Sequence, residues 1–127
     1  MASKRPKILI VEDSATMRQL LRFALQRLGD IEILEAKDGI EGLKTIRQGG
    51  IDVALVDINM PLMDGFKMAQ LVRQDPSTSA LAIVIITTEG KDESREKAHA
   101  LGIKYYITKP INQSQVVNTV RGILQGK

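Results

Sequence analysis

The strongest constraint on the fold is a series of short apolar runs, each breaking off at a polar or charged residue. The central one is Val53-Ala54-Leu55-Val56, rich in β-branched side chains and ending on Asp57. A run of this kind predicts a strand buried on both faces. Met60-Pro61 then stops the extended segment, because proline has no N–H to give a ladder. Asp57 is thereby placed at the C-terminal tip of a central strand, the edge of an open α/β sheet where ligands bind.

The pattern recurs along the chain. Lys7 to Val11 ends at Glu12-Asp13, and Ile31 to Ala36 forms a short second strand. Ala80 to Ile86 ends at Thr87-Thr88, and Tyr105 to Thr108 ends at Lys109-Pro110. Helical periodicity fills the intervals. Met17, Leu20, Leu21, Ala24, Leu25 and Leu28 share one face of a first helix, which Gly29-Asp30 ends. Asp38 and Glu41 predict a capping box for a second helix running to about Gln48. Asp64-Gly65 opens a third helix with Met68, Ala69, Leu71 and Val72 inward, ending near Asp75-Pro76. Asp92 to Leu101 is a polar helix with a thin apolar side, and Val116, Val117, Val120, Ile123 and Leu124 mark a closing helix. Strands alternating with helices through short connections predict right-handed crossovers and a parallel sheet covered on both faces.

The chain has 127 residues, 43% of them hydrophobic and 26% charged, which suits one soluble domain with its own core. It has no cysteine, which excludes disulfides, thiolate metal sites and cysteine catalysis and fits a reducing cytoplasm. No apolar run approaches the roughly 20 residues of a membrane span, and the run after the basic N-terminus is too short for a signal peptide. The net charge of +3 is scattered, without a dense Lys/Arg block or interleaved aromatics, so no nucleic-acid partner is expected. His99 is the lone histidine and reads as a solvated residue on the polar helix.

In a parallel sheet all strand tips share one edge. That edge collects Glu12, Asp13, Asp57, Thr87 and Lys109. Three carboxylates held together require a raised pKa on one of them, a nearby cation or a bound metal. Their hard oxygens suit Mg²⁺, which takes one or two carboxylates, keeps several waters and accepts phosphate oxygens. Lys109 and Thr87 suit the oxygens of the same phosphate. An aspartate can itself be the nucleophile and become an aspartyl phosphate. Phosphoryl transfer then needs little beyond in-line positioning and charge neutralisation.

Over essentially its whole length the chain resembles the receiver domain of two-component response regulators, and in particular the single-domain, chemotaxis-type (CheY-like) members. The motifs that carry the resemblance are Glu12-Asp13, Asp57 with Met60-Pro61 and Asp64-Gly65 downstream, Thr87, and Lys109-Pro110. The resemblance implies a flavodoxin-like, doubly wound five-stranded parallel sheet of order 2-1-3-4-5 with five helices. It implies a single domain over 1–127, with its core about 7–125. Asp57 would be phosphorylated by a partner histidine kinase. Asp13, Asp57 and the backbone carbonyl of Asn59 would bind Mg²⁺, with Glu12 acting through water. Lys109 and Thr87 would contact the phosphoryl group, and Lys109-Pro110 is expected to be a cis peptide. Tyr106 stands where the family often has an aromatic switch, and the fourth helix, fifth strand and fifth helix would form the responsive face.

Taken singly, these residues have plainer readings: Asp57 as a cap, Glu12 and Asp13 as acids near a helix N-terminus, Thr87 as a strand end, Lys109 as a surface charge, Tyr106 as static packing. Asp38 and Asp64 are expected as caps and turn formers. Some positions depart from the family pattern. Glu12 replaces the more common Asp, with an arm long enough to reach a metal-bound water. Thr88 is larger than the Ala or Gly often found there and narrows access for water, whereas Asn59 and Glu89 are a pair compatible with fast self-dephosphorylation. Ile111 stands where Phe is common. From Tyr105 to Lys127 there is no acid, which argues against the family's acid–base dimer and for a monomer.

The expected function is a phosphorylation-controlled binding module rather than an enzyme acting on an external substrate. Its partners would be a histidine kinase and a downstream protein, such as the flagellar motor or another motility component. A phosphorelay intermediate passing phosphate to a histidine phosphotransfer domain would use the same residues, as would a receiver excised from a larger regulator. A small-molecule phosphohydrolase would need a cap over its pocket, and no insertion is long enough to supply one.

Overall fold

The computed structural model describes residues 5–88 and 92–126. Strands β1 (Lys7–Val11), β2 (Glu32–Ala36), β3 (Val53–Asp57), β4 (Ala82–Thr87) and β5 (Tyr105–Thr108) alternate with helices. These are α1 (Ala15–Leu25), α2 (Gly39–Arg47), α3 (Gly65–Gln74), α4 (Asp92–Ala100) and α5 (Gln113–Gln125). Every pairing is parallel and the strand order is β2-β1-β3-β4-β5, the flavodoxin-like doubly wound arrangement.

Pleating explains why the runs are apolar at every position. Leu9, Val11, Ala54, Val56, Ile83 and Ile85 face one side, where Leu43, Ile46, Met68, Ala69 and Val72 of α2 and α3 cover them. Ile8, Ile10, Val53, Leu55, Val84 and Ile86 face the other, against Leu21, Ala24 and Leu25 of α1 and Val116, Val117 and Val120 of α5. Helix α4 is the exception: among its residues only Ser94 and Ala98 are buried. Arg73 of α3 supplements that thin contact. Its guanidinium donates to the carbonyls of Leu101 at 2.7 Å, Leu81 at 2.7 Å and Ser79 at 3.1 Å. No helix among the described residues is long and apolar enough to cross a membrane.

The caps lie where expected. Asp38 and Asp64 accept the N–H groups of Glu41 and Lys67, and Glu41 reaches back to the Lys37 N–H. Two boundaries differ from the sequence pattern by more than a residue. The α-helical part of the first helix ends at Leu25, and Gln26–Leu28 continue as a 3₁₀ turn before Gly29 at φ +94°. Leu28 still packs against the core, so the apolar spacing survives the tightening and does not reveal it. Strand β4 begins at Ala82 rather than Ala80. The Leu81 N–H donates to the Thr78 carbonyl and the Leu81 carbonyl accepts from Arg73, which turns that apolar residue into the preceding connection.

Helix α3 starts hard against the tip of β3. A Cβ added at Gly65 would meet the Asp57 carbonyl oxygen at 2.5 Å and the Ile58 Cα at 2.9 Å, and backbone cannot swing aside. Gly65→Ala is therefore expected to destabilise the fold by about 1–3 kcal/mol. At Gly122 on α5 nothing lies within 4 Å, and Gly122→Ala is expected to stabilise by about 0.5–1 kcal/mol. Urea unfolding reads both; a Gly65→Ala protein with the wild-type midpoint would show that the close approach is dispensable.

Candidate functional site

Register brings the strand tips together. Val11 pairs with Val56 and Asp57 with Ile86, so Glu12, directly after β1, arrives beside Asp57 at the end of β3. Thr87 pairs with Thr108, which delivers Lys109 to the same edge. The Lys109 N–H donates to the Thr87 carbonyl at 2.7 Å, locking the turn out of β5 to the tip of β4. The Lys109-Pro110 peptide is cis.

The acids divide by exposure. Glu12 and Asp57 are 1% and 3% exposed, whereas Asp13 faces solvent. One carboxylate oxygen from each of the three lies within 4.8 Å of the others. The Lys109 ammonium sits between the two buried ones, donating to Glu12 Oε1 at 3.2 Å and to Asp57 Oδ2 at 3.3 Å. The remaining oxygens are held by backbone: Ser14 N–H donates to Glu12 Oε2 at 3.1 Å and Asn59 N–H to Asp57 Oδ1 at 3.2 Å. Asp57 therefore makes the short local turn expected of a capping residue as well as the ion pair. Beside the cluster runs a groove of about 560 Å³, lined by Asp13, Asn59, Met60, Asp64, Phe66 and Lys97 among others.

Charge crowding shows in the titration of these groups. Burial, above all, pushes the Glu12 carboxyl up from 4.5 to about 7, with Asp13 and Asp57 adding to the rise against the opposing pull of the Ser14 N–H and Lys109. Burial alone would lower the Lys109 ammonium, but Asp57 and Glu12 outweigh it and hold the group above its ordinary value.

The structure thus gathers Glu12, Asp13, Asp57, Asn59 and Lys109 at one place, with Thr87 fully buried at the neighbouring tip. Thr88 follows it and is exposed; Glu89 lies outside the described residues. Tyr106 is half-buried against the α2–α3 side of the core, and the Arg95 guanidinium of α4 lies over its ring, 4.5 Å from the centroid. His99 is exposed. Two residues not singled out in the sequence also belong here. Ser14 caps α1 and holds Glu12, and its position one residue before the first helix is a readable signal. Arg18 donates to the Glu12 carbonyl at 2.7 Å, a contact that no local pattern announces.

This sheet edge, with its acidic pair, central aspartate, hydroxyl and lysine on successive strand tips, defines a receiver fold. The family model of the response regulator receiver domain matches residues 8–121, and the chain belongs to that family. Its likeness extends to individual members. It is 33% identical over 120 residues to protein PilH of Pseudomonas aeruginosa, covering 94% of this chain and 98% of PilH. It is 37% identical over 108 residues to chemotaxis protein CheY-3 of Vibrio cholerae, covering 85% and 83%. The structure of chemotaxis protein CheY4 of Vibrio cholerae matches with a TM-score of 0.87 at 32% identity, covering 94% of this chain and 99% of that one. The chain is a CheY-like signalling receiver of the two-component type.

The Glu12 shift has a consequence for stability. Between pH 4.5 and about 7 the folded, metal-free protein holds a proton on Glu12 that the unfolded chain releases. Its contribution to stability therefore falls as pH rises through that window, with a slope of up to about 1.4 kcal/mol per pH unit. Glu12→Gln is expected to flatten this decline. Urea unfolding with a divalent-cation chelator present, at pH 5 and pH 7.5, measures it; an unchanged slope would place the proton elsewhere.

Proposed function

We propose that the chain is a phosphorylation-controlled signalling switch in which Asp57 takes a phosphoryl group from the phosphohistidine of a histidine kinase. The observation that carries this reading is the Lys109 ammonium poised between the buried Glu12 and Asp57 carboxylates at the sheet edge. An oxygen of Asp57 attacks phosphorus. The new O–P bond forms as the P–N bond breaks, and the imidazole leaves with the electron pair and takes up a proton. Attack by water later cleaves the acyl phosphate, releasing inorganic phosphate and restoring the carboxylate.

The donor set fits Mg²⁺. Three hard carboxylates converge, each offering an oxygen within 4.8 Å of the others. Asp13, Asp57 and the backbone carbonyl of Asn59 would hold the ion, with Glu12 acting through water. The ion supplies neutralisation of the phosphoryl oxygens. On phosphorylation Lys109 turns its ammonium from the carboxylates to one phosphoryl oxygen, and the Thr87 hydroxyl takes another. Thr88, exposed directly after Thr87, modulates the entry of hydrolytic water.

The response spreads through Tyr106 to the face built by α4, β5 and α5, which changes affinity for a protein partner. Similarity to a chemotaxis protein supports a role in motility control, with the flagellar motor or another motility component as target. The absence of any acid from Tyr105 to Lys127 supports action as a monomer. The scattered basic residues give no footprint for nucleic acid, and the whole chain acts as one receiver domain beside its kinase in the cytoplasm.

Asp57→Asn is expected to take no label from a phosphorylated histidine kinase, and chelation of divalent cations to abolish transfer to the wild type. Lys109→Ala is expected to slow transfer by about 100-fold or more. Labelling of Asp57→Asn at the wild-type level would falsify the assignment.

A further inference from the structure

We propose that Arg18 is a positioning residue for the acidic pair: it fixes the peptide between Glu12 and Asp13 so that both present their carboxylates, with Asp57, to a divalent cation. The inference rests on the metal-assisted reading above.

Arg18 lies on the second turn of α1 and uses its guanidinium in two directions. Nη1 donates to the Glu12 carbonyl at 2.7 Å and Nε to Glu35 Oε1 at 3.0 Å. The other oxygen of Glu35 is held by Arg22, one helical turn on, from Nε at 2.8 Å and Nη2 at 2.7 Å. Hydrogen bonding from Arg22, foremost, and from Arg18 holds the Glu35 carboxyl below its ordinary range. Strand β2 thus anchors the arginine, and it also holds the other side of Glu12, whose N–H donates to the Ala36 carbonyl at 3.0 Å. Both peptide groups flanking Glu12 are therefore fixed from outside the turn. Asp13 follows directly and is exposed, so the plane that Arg18 holds sets where its carboxylate starts.

Lysine could not do this. A guanidinium offers several donors in one rigid plane, and Arg18 uses two of them on acceptors from different elements. The Arg18 side chain is 19% exposed, so it is packed into this place rather than ranging over the surface. Charge and position also predict opposite effects. A fixed cation beside three acids disfavours a bound dication by Coulomb repulsion, whereas an organised acid turn favours it.

The test is Mg²⁺ binding to the full chain, by calorimetry and by the amide shifts of Asp13 and Asn59, with thermal melts alongside. Arg18→Gln is expected to weaken Mg²⁺ binding by about 10-fold, as loss of an orienting partner behind a metal ligand does. Arg18→Lys is expected to weaken it similarly although the charge remains. Arg22→Gln, which also removes a cation and a Glu35 contact but none to Glu12, is expected to keep wild-type affinity. Tighter binding by Arg18→Gln would mean the guanidinium acts only as a repelling charge and would overturn the inference. Equal losses in Arg18→Gln and Arg22→Gln would overturn it too, by reducing the effect to the stability of the α1–β2 contact. A wild type that takes up no Mg²⁺ would overturn the metal-assisted reading itself, and this inference with it.

Discussion

An ammonium between two buried carboxylates is the contact on which the functional edge depends. Lys109 reaches Glu12 and Asp57 at 3.2 and 3.3 Å, where both acids have lost nearly all contact with water. A buried charge without a partner is far costlier than a buried pair, so the ammonium lowers the cost of burying these acids, as the proton that Glu12 holds also does. Much of the fold can be understood as delivering that cation. The β4–β5 register brings Thr108 level with Thr87, and the bond from the Lys109 N–H to the Thr87 carbonyl aims the next side chain across the sheet. The apolar strands on either side remove the water that would otherwise screen the interaction.

How far the sequence discloses this depends on whether a feature is periodic. The three central strands could be read because each is covered by helices on both faces and is apolar almost throughout, while the capped helices announce themselves at Asp38 and Asp64. Strand tips follow from strands, so Glu12, Asp57, Thr87 and Lys109 could be placed at one edge before any coordinates. Strand order and the cis peptide at Lys109-Pro110 came through resemblance, because no spacing encodes them. The 3₁₀ turn after Leu25 and the late start of β4 were hidden for the same physical reason: Leu28 and Leu81 are apolar and packed inward although neither continues its element. Glu12 and Asp13 are adjacent in sequence and opposite in burial, which composition alone does not separate.

Least legible was the framework behind the acids. Arg18, Arg22 and Glu35 sit on a helix and an edge strand and look like ordinary surface charges in the sequence. Their partners are set by the approach of α1 to β2, which is a tertiary fact. Strand β2 brings no side chain to the acid cluster, yet the Ala36 carbonyl and the Glu35 carboxylate together govern the backbone on which that cluster begins. An edge strand can in this way shape, through its backbone, a site to which it lends no side chain.

The thin apolar side of α4 bears on the energy scale of any response. A helix that covers the sheet with little more than Ser94 and Ala98 uncovers little apolar area when it shifts, unlike α3, which would have to expose Met68, Ala69 and Val72. Arg73 ties the chain just beyond the C-terminal end of α4, at the Leu101 carbonyl, while nearer its start Arg95 stacks on Tyr106 of β5. A stacked cation of this sort is worth about 0.5–2 kcal/mol. The few kcal/mol that separate the minor and major states of a two-state protein lie within the same range. A shift of α4 would therefore cost less apolar burial than the same shift of α3.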